Sequence, residues 1–293
     1  MKVLVTGAKG QLGSDVIIEM ERRQHTVIGV GSKEMDITDA EKVASVLREC
    51  RPDAVIHCAA WTAVDQAEEC EADAYRVNAD GTENLAKVCK ELGCKMMYIS
   101  TDYVFDGEGE EPWSPEDNTS APLNVYGKTK LAGEQAVRSL LERYFIVRIA
   151  WVYGKNGANF VKTMLRVGEN HEKLTVVDDQ IGTPTYTRDL ARLLGDMIET
   201  ERYGCYHATN EGGYISWYEF AKEIFRQAAA LGHEVYGEDR LQVLPVTTEA
   251  YGISKAKRPK NSRLNKEKLV EQGFQPLPEW KDALARYLQE IGL

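Results

Sequence analysis

The stretch Val5-Thr6-Gly7-Ala8-Lys9-Gly10-Gln11-Leu12-Gly13 joins a short apolar run to the first amphipathic stretch of the chain. Residues 2–6 predict a buried strand and residues 11–23 a helix. Glycines at such a junction allow a tight turn, close approach of the backbone to a pyrophosphate, and close helix-to-strand packing. The helix N-terminus adds free N–H groups that face phosphate charge. The chain therefore begins with a predicted dinucleotide-binding unit.

Beyond this stretch, apolar segments alternate with amphipathic ones up to about residue 150. The further predicted strands are 26–30, 53–58, 95–100 and 144–150, and the predicted helices are 39–49, 67–92 and 124–143. Strands that are apolar throughout and separated by helices form a parallel sheet with both faces covered. The sequence predicts an α/β fold with a Rossmann-type doubly wound parallel sheet.

The second half loses this regular alternation, which indicates a smaller C-terminal lobe that binds substrate. We predict an NAD(P)-binding domain over residues 1–150 and a lobe over residues 151–293, some segments of which return to the Rossmann core. Residues 107–122, dense in Glu, Pro and Gly, are the predicted flexible loop. The predicted helices here are 159–168, 187–199, 216–231 and 278–291, with short strands at 174–177 and 241–246.

Composition narrows the function classes. The 293 residues carry a net charge of −10 and no long run of Lys or Arg, so we expect no nucleic-acid and no membrane-surface partner. No segment approaches the roughly 18 apolar residues of a membrane span, and the N-terminus is unlike a signal peptide, so we expect a cytoplasmic protein. The six cysteines form no C-x-x-C pair, and the five histidines add no ligand pattern. We expect reduced thiols and no zinc site.

The end of the second strand bears on cofactor choice. Gly31-Ser32-Lys33 lacks the acidic residue that binds the ribose 2′-hydroxyl of NAD, and Ser32 and Lys33 can contact a 2′-phosphate. NADPH is the first choice and NADH the alternative, since Lys33 also fits a solvated loop lysine. Asp36 is suited to meeting the adenine, to capping the next helix, or to both.

Three residues form the candidate catalytic group. Thr101 ends the fourth strand, at the edge where open α/β sheets bind ligands. Tyr126 and Lys130 are four residues apart on a predicted helix and share one face. An adjacent ammonium favours the phenolate, so we expect Lys130 to bring the pKa of Tyr126 down toward neutral pH. The alternative is a chance Tyr-x-x-x-Lys pair on an exposed helix.

The motifs together resemble the dTDP-4-dehydrorhamnose reductases, a family of the extended short-chain dehydrogenase/reductase superfamily. The resemblance covers nearly the whole chain. It rests on 7–13 (GAKGQLG), 100–107 (STDYVFDG), 124–134 (NVYGKTKLAGE), 148–154 (RIAWVYG), 159–164 (NFVKTM), 179–185 (DQIGTPT) and 258–264 (RPKNSRL).

The resemblance implies reduction of the C4 ketone of dTDP-4-dehydro-β-L-rhamnose to dTDP-L-rhamnose. Tyr126 would donate the proton, Lys130 would tune Tyr126 and hold the nicotinamide ribose, and Thr101 would bond the carbonyl oxygen. Asp102 and Trp151 would line the sugar pocket. Together with the glycine motif, the implied cofactor contacts are Gly7, Gly10, Gln11, Leu12, Gly13, Asp36, Ile37, Ala60, Trp61, Thr62, Tyr126 and Lys130.

Further expectations concern anions, metals and rival functions. Arg258 and Arg263 are candidates for the dTDP pyrophosphate, with surface ion pairing as the alternative. The family implies Mg²⁺; the sequence shows no metal cluster, so an ion would lie at a subunit contact. The oligomeric state is open, a homodimer being one option. The rival functions are a sugar-nucleotide epimerase or dehydratase, and a non-catalytic regulatory subunit such as that of methionine adenosyltransferase.

Overall fold

The structure is a computed structural model that describes residues 1–117 and 120–293. Its strands are β1 Lys2–Thr6, β2 Thr26–Val30, β3 Ala54–His57, β4 Lys95–Thr101, β5 Tyr144–Ile149, β6 Val152–Tyr153, β7 Lys173–Val177, β8 Ile181–Gly182, β9 Thr185–Tyr186, β10 Gly204–His207, β11 Asn210–Glu211, β12 Ile215–Ser216, β13 Gln242–Val246 and β14 Leu277–Glu279. Its helices are α1 Gln11–Arg22, α2 Ala40–Cys50, α3 Val64–Ala67, α4 Glu71–Tyr75, α5 Gly81–Leu92, α6 Val125–Leu140, α7 Phe160–Gly168, α8 Thr187–Ile198, α9 Trp217–Ala230, α10 Thr248–Tyr251, α11 Glu267–Glu271 and α12 Trp280–Glu290.

The main sheet has six parallel strands in the order β2-β1-β3-β4-β5-β10. The strand order reverses between β1 and β3, which makes the carboxyl edge there the expected ligand site. The predicted doubly wound sheet is confirmed. Strand β10 was not predicted, because its four residues carry little periodicity and only pairing with β5 defines them.

Alternation along β1 separates two hydrophobic cores. Val3 and Val5 pack on one face with residues of α1 and α8, whereas Leu4 packs on the other with residues of α2 and α5. Each of these strand residues is fully buried. Since both faces are covered by helices, every residue of the strand is apolar apart from its ends.

The single helix predicted over residues 67–92 is wrong. That segment holds the last residue of α3, then α4, a π-helical turn at Arg76–Asp80, and α5. The Asn78 amide in the π-helical turn accepts from the Trp61 backbone N–H at 2.8 Å and donates to the Thr129 hydroxyl at 2.9 Å. These bonds favour a local widening of the helix that periodicity cannot predict.

The C-terminal half forms a separate hydrophobic cluster around Tyr153, Phe220, Trp280 and Tyr287, with four two-stranded sheets beside it. Helix α8 packs instead on α1 beside the main sheet, and strand β10 pairs with β5 within that sheet. The division near residue 150 stays a prediction, as does flexibility of residues 107–122, of which 118 and 119 lie outside the described residues. In the part of the chain that the structure describes, no helix is both long enough and apolar enough to cross a membrane.

Candidate active site

A cavity of about 720 Å³ lies at the carboxyl edge of the main sheet, beside the reversal of strand order. It brings the glycine loop after β1 together with the ends of β3 and β4 and the start of α6. The predicted site residues that line it are Gly7, Gly10, Gln11, Leu12, Ala60, Thr62, Thr101, Asp102, Tyr126, Lys130 and Trp151.

A smaller cavity of about 210 Å³ adjoins it and holds the predicted Asp36 and Ile37. The two cavities share Gly7, Gly31 and Ala60 among their lining residues, so they lie side by side along the sheet edge. The Asp36 carboxylate accepts from the backbone and hydroxyl of Thr38, and Asp39 is the residue that caps α2. The structure therefore excludes Asp36 as the cap of that helix.

The glycine loop has the shape of a phosphate cradle. Gly7 has φ of +66°, and a Cβ there would lie 2.8 Å from the Ala59 backbone nitrogen. A Cβ on Gly13 would lie 2.2 Å from the Gly7 carbonyl oxygen, so Gly13 serves packing and does not line the cavity. The loop thus leaves Gly10, Gln11 and Leu12, where α1 begins, in the wall of the cavity.

Gln11 connects the cradle to the C-terminal half. Its side-chain oxygen accepts from the Gly154 backbone N–H at 3.0 Å and from the Asn159 amide at 3.1 Å. The Asn159 amide also donates to the Tyr287 hydroxyl. A cofactor contact by the Gln11 side chain would therefore share its amide with this fixed junction.

Thr101 lies in a buried hydrogen-bonded chain. Its hydroxyl donates to Asp102 at 2.9 Å and accepts from the Tyr103 backbone N–H at 3.2 Å. The second Asp102 oxygen accepts from the hydroxyl of Ser262, which comes from the C-terminal half. Burial raises the pKa of Asp102 to about 6, although the bonds from Ser262 and Thr101 oppose the rise.

Tyr126 lines the same cavity wall as Thr101. Helix α6 begins just before it because the Asn124 side chain accepts from the Gly127 N–H at 2.8 Å. Burial raises the pKa of Tyr126 well above its usual value. The predicted lowering by Lys130 is wrong for this geometry, since desolvation of the phenolate outweighs other effects.

Lys130 lies one turn further along α6 and is buried. Its ammonium donates to the Ile99 carbonyl at 2.8 Å and stands 4.0 Å from the centre of the Tyr98 ring. Burial lowers the pKa of Lys130 to about 7, against the attraction of Glu134. The neighbouring Lys128 is exposed, so the two lysines of α6 differ in environment as their helical positions predict.

Trp151 closes the cavity on the C-terminal side. Its φ of +50° lies in the left-handed region, which is strained for a bulky residue. The indole stacks on Trp217 at 3.7 Å between ring centres, and a Cβ on Gly182 would lie about 3 Å from it. Packing on both sides therefore holds this side chain in place.

The two predicted anion-binding arginines have different surroundings. Arg258 donates to Tyr103, which lines the cavity, at 3.1 Å and to Asp65 at 2.7 Å. Arg263 donates to Asn261 at 3.1 Å and is not brought to the cavity wall. Trp61, a predicted cofactor contact, lies just outside the lining, with its backbone bonded to Asn78.

The implied Mg²⁺ finds no matching set of ligands within one chain. Across residues 1–117 and 120–293, no group of three or more histidine, cysteine or acidic side chains is arranged to hold a metal ion. A homodimer and a cytoplasmic location stay predictions.

Four residues of this region are not among the site residues that the sequence predicts. Asn78 and Ser262 position the β3 loop and Asp102, and each lies far in sequence from its partner. Tyr103 packs edge-on to the Tyr126 ring at 5.4 Å. Glu34 lines the cavity although no acid ends β2. Only Tyr103, two residues after Thr101, carried a local indication.

The fold and the site define a class: a Rossmann-type protein with the Thr, Tyr and Lys of a short-chain dehydrogenase/reductase. A family model described as "RmlD substrate binding domain" matches residues 1–293. The chain is 42% identical to the dTDP-4-dehydrorhamnose reductase of Streptomyces griseus, over 96% of this chain and 91% of that protein. The chain belongs to the RmlD substrate binding domain family.

Solved structures agree in fold over the full length. A dTDP-4-dehydrorhamnose reductase from Bacillus anthracis, in complex with NADP, has a TM-score of 0.91 and 44% identity, with 99% of each chain covered. One from Clostridium acetobutylicum has a TM-score of 0.93 and 43% identity, with both chains fully covered.

Proposed function

We propose that this chain reduces the C4 ketone of dTDP-4-dehydro-β-L-rhamnose to dTDP-L-rhamnose, with NADPH as the first hydride donor and NADH as the alternative. The observation that carries the proposal is one continuous cavity with the glycine cradle at one end and Thr101, Tyr126 and Lys130 at the other. The substrate is supported by relatives named for this reaction at about 40% identity over nearly the full chain.

The cradle would hold the dinucleotide. Gly7 and Gly10 leave room for the pyrophosphate at the N-terminus of α1, whose free N–H groups bind anions. The adjoining cavity with Ile37 would take the adenine, and Ala60 and Thr62 would flank the part of the cofactor that crosses the sheet edge. A bound NADPH supplies the hydride to C4.

Tyr126 would supply the proton to the alkoxide oxygen that develops at C4. Burial keeps the phenol protonated at neutral pH, which suits an acid in a reduction. Thr101 has one hydroxyl proton, and it is directed to Asp102, so any hydrogen bond between Thr101 and the phenol would have the phenol as donor. Thr101 would thereby orient the Tyr126 hydroxyl. It would donate a hydrogen bond to the carbonyl oxygen of the substrate only after its hydrogen bond to Asp102 is broken.

The remaining residues would bind and orient. Lys130, fixed by the Ile99 carbonyl, would hold the nicotinamide ribose through its other protons. Asp102 and Trp151 would contact the sugar, and Arg258 would reach toward the dTDP pyrophosphate. Arg263 has weaker support, because neither Arg263 nor its hydrogen-bond partner Asn261 lines the cavity.

The test follows NADPH absorbance with the enzymatically generated 4-keto sugar nucleotide. Tyr126→Phe should lower kcat by about 10²- to 10⁴-fold and leave NADPH affinity within about twofold. Tyr144→Phe is the matched control and should keep full turnover, because Tyr144 lies at the amino end of β5, away from the carboxyl edge of the sheet where the cavity lies. No substrate-dependent oxidation by the unmodified chain would overturn the proposal, and conversion without net oxidation would favour an epimerase.

A further inference from the structure

The junction between the two cavities lies where β2 ends. Gly31 and Ser32 line both cavities, and Lys9, Lys33 and Glu34 line the larger one beside them. A dinucleotide that runs from the smaller cavity to the larger one passes this junction with its adenosine ribose. The ribose 2′ position, which carries a hydroxyl in NADH and a phosphate in NADPH, is therefore expected here.

Glu34 brings a carboxylate back to the end of β2. One of its oxygens accepts from the Gly31 backbone N–H at 2.9 Å, three residues earlier in the chain. In NAD-binding folds the acid that bonds the ribose 2′-hydroxyl stands at the end of this strand. Glu34 thus supplies from the following loop the group that the strand itself lacks.

Two lysines place positive charge beside this carboxylate. The Lys9 ammonium lies 3.9 Å from the other Glu34 oxygen, and Lys33 is the adjacent residue. The Gly31 N–H, together with both lysines, holds the pKa of Glu34 below its usual value, so the side chain is ionised at neutral pH. The junction therefore presents one anion and two cations to the 2′ position.

We propose that Glu34 is a specificity-determining residue that favours the 2′-hydroxyl of NADH and disfavours the 2′-phosphate of NADPH. Lys9 and Lys33 act in the opposite sense, because a phosphate dianion is attracted to ammonium groups and repelled by a carboxylate. The inference rests on the proposed use of a nicotinamide dinucleotide. It makes the coenzyme preference a balance of three side chains at one junction.

The test is Glu34→Gln, which removes the charge and keeps the size of the side chain. Dissociation constants for NADPH and NADH are measured by isothermal titration calorimetry, without substrate. We expect NADPH to bind about tenfold tighter and NADH about two- to threefold weaker. Lys9→Gln should shift the ratio the other way.

Glu49→Gln is the matched control, since Glu49 is exposed near the far end of α2. It should leave both constants unchanged. An unchanged NADPH-to-NADH ratio in Glu34→Gln, with both coenzymes bound, would overturn the role of Glu34 and leave the proposed function intact. Failure of the unmodified chain to bind either coenzyme would instead overturn the proposed function.

Discussion

The glycine loop after β1 and the catalytic cluster after β4 lie at one edge of the same sheet, but they work by different physical means. At Gly7 and Gly13 the loop depends on missing side chains, because a single methyl group would meet backbone atoms. The cluster depends on buried polar side chains whose protonation is shifted, as in Asp102 and Lys130. Changes in the loop should therefore alter shape, and changes in the cluster should alter pH dependence.

The largest effect on coenzyme binding concerns the loop. Gly7→Ala should weaken NADPH binding by about a hundredfold, because the left-handed backbone and the contact with Ala59 force the cradle to move. Calorimetric titration measures the constant. The pKa values of the cluster should be untouched, so the remaining turnover at saturating NADPH should keep its pH profile.

The control for this variant is Gly93→Ala. Gly93 has φ of +68°, almost the same as Gly7, but a Cβ there would meet nothing within 4 Å. It ends α5 and does not line the cavity. This variant should lose about 1 kcal/mol of unfolding free energy and keep full NADPH affinity. Equal affinity losses in both variants would contradict a role for shape.

The next effect concerns the stability of the cluster. Folding lowers the pKa of Lys130 from 10.5 to about 7, so the unfolded chain binds more protons between these values. Stability of the unmodified protein should then rise with pH above 7. Lys130→Met removes this dependence. The variant's advantage in unfolding free energy over the unmodified protein should therefore shrink by about 2 kcal/mol between pH 6 and pH 9. Urea denaturation at each pH gives the difference.

Lys128→Met serves as the matched substitution on the same helix. Lys128 is exposed, so its replacement should change the unfolding free energy equally at both pH values. A pH-independent advantage in Lys130→Met would show that Lys130 is charged in the folded protein across the whole range.

The same contrast explains what the sequence could predict. The glycine loop, β1 and β2 were predicted with nearly the observed ends, because a strand followed by a turn and a helix is specified by adjacent residues. Thr101, Tyr126 and Lys130 were also found locally, by their place after a strand and on one helical face. Their protonation could not be predicted in this way, because burial raises the pKa of Tyr126, whereas the adjacent lysine alone predicts a lowered one.

The residues missed by the sequence are those whose partners are distant. Asn78 breaks a predicted helix by bonding the loop after β3, and Ser262 reaches Asp102 across 160 residues. No periodicity connects such pairs, because tertiary packing alone brings them together. The site could be predicted as a set of reacting groups, and its supporting hydrogen bonds could not.

A smaller effect tests one of these supports. Ser262→Ala removes a hydrogen bond that opposes the raised pKa of Asp102, so that pKa should rise further, by about one unit. Ionised Asp102 is what holds the Thr101 proton, so the acidic limb of kcat/KM should move up by the same amount, with about a threefold loss at pH 6.5. Ser262→Thr keeps the hydroxyl and should restore the limb. A limb that stays in place would contradict this positioning role.

The smallest effect is predicted at Arg263. Its size decides whether segment 258–263 contributes charge to substrate binding or only positions the side chains of the catalytic cluster. Arg258 bonds Tyr103 in the cavity wall, so Arg258→Ala should raise the KM for the sugar nucleotide about tenfold. Arg263 is bonded to Asn261, so Arg263→Ala should change that KM by less than about twofold. Initial rates with varied sugar nucleotide measure both. Equal increases in KM would show that Arg263 also contributes to binding the dTDP pyrophosphate. No increase in KM for either variant would show that this segment contributes through Ser262 and its bond to Asp102, and not through the charges of the two arginines.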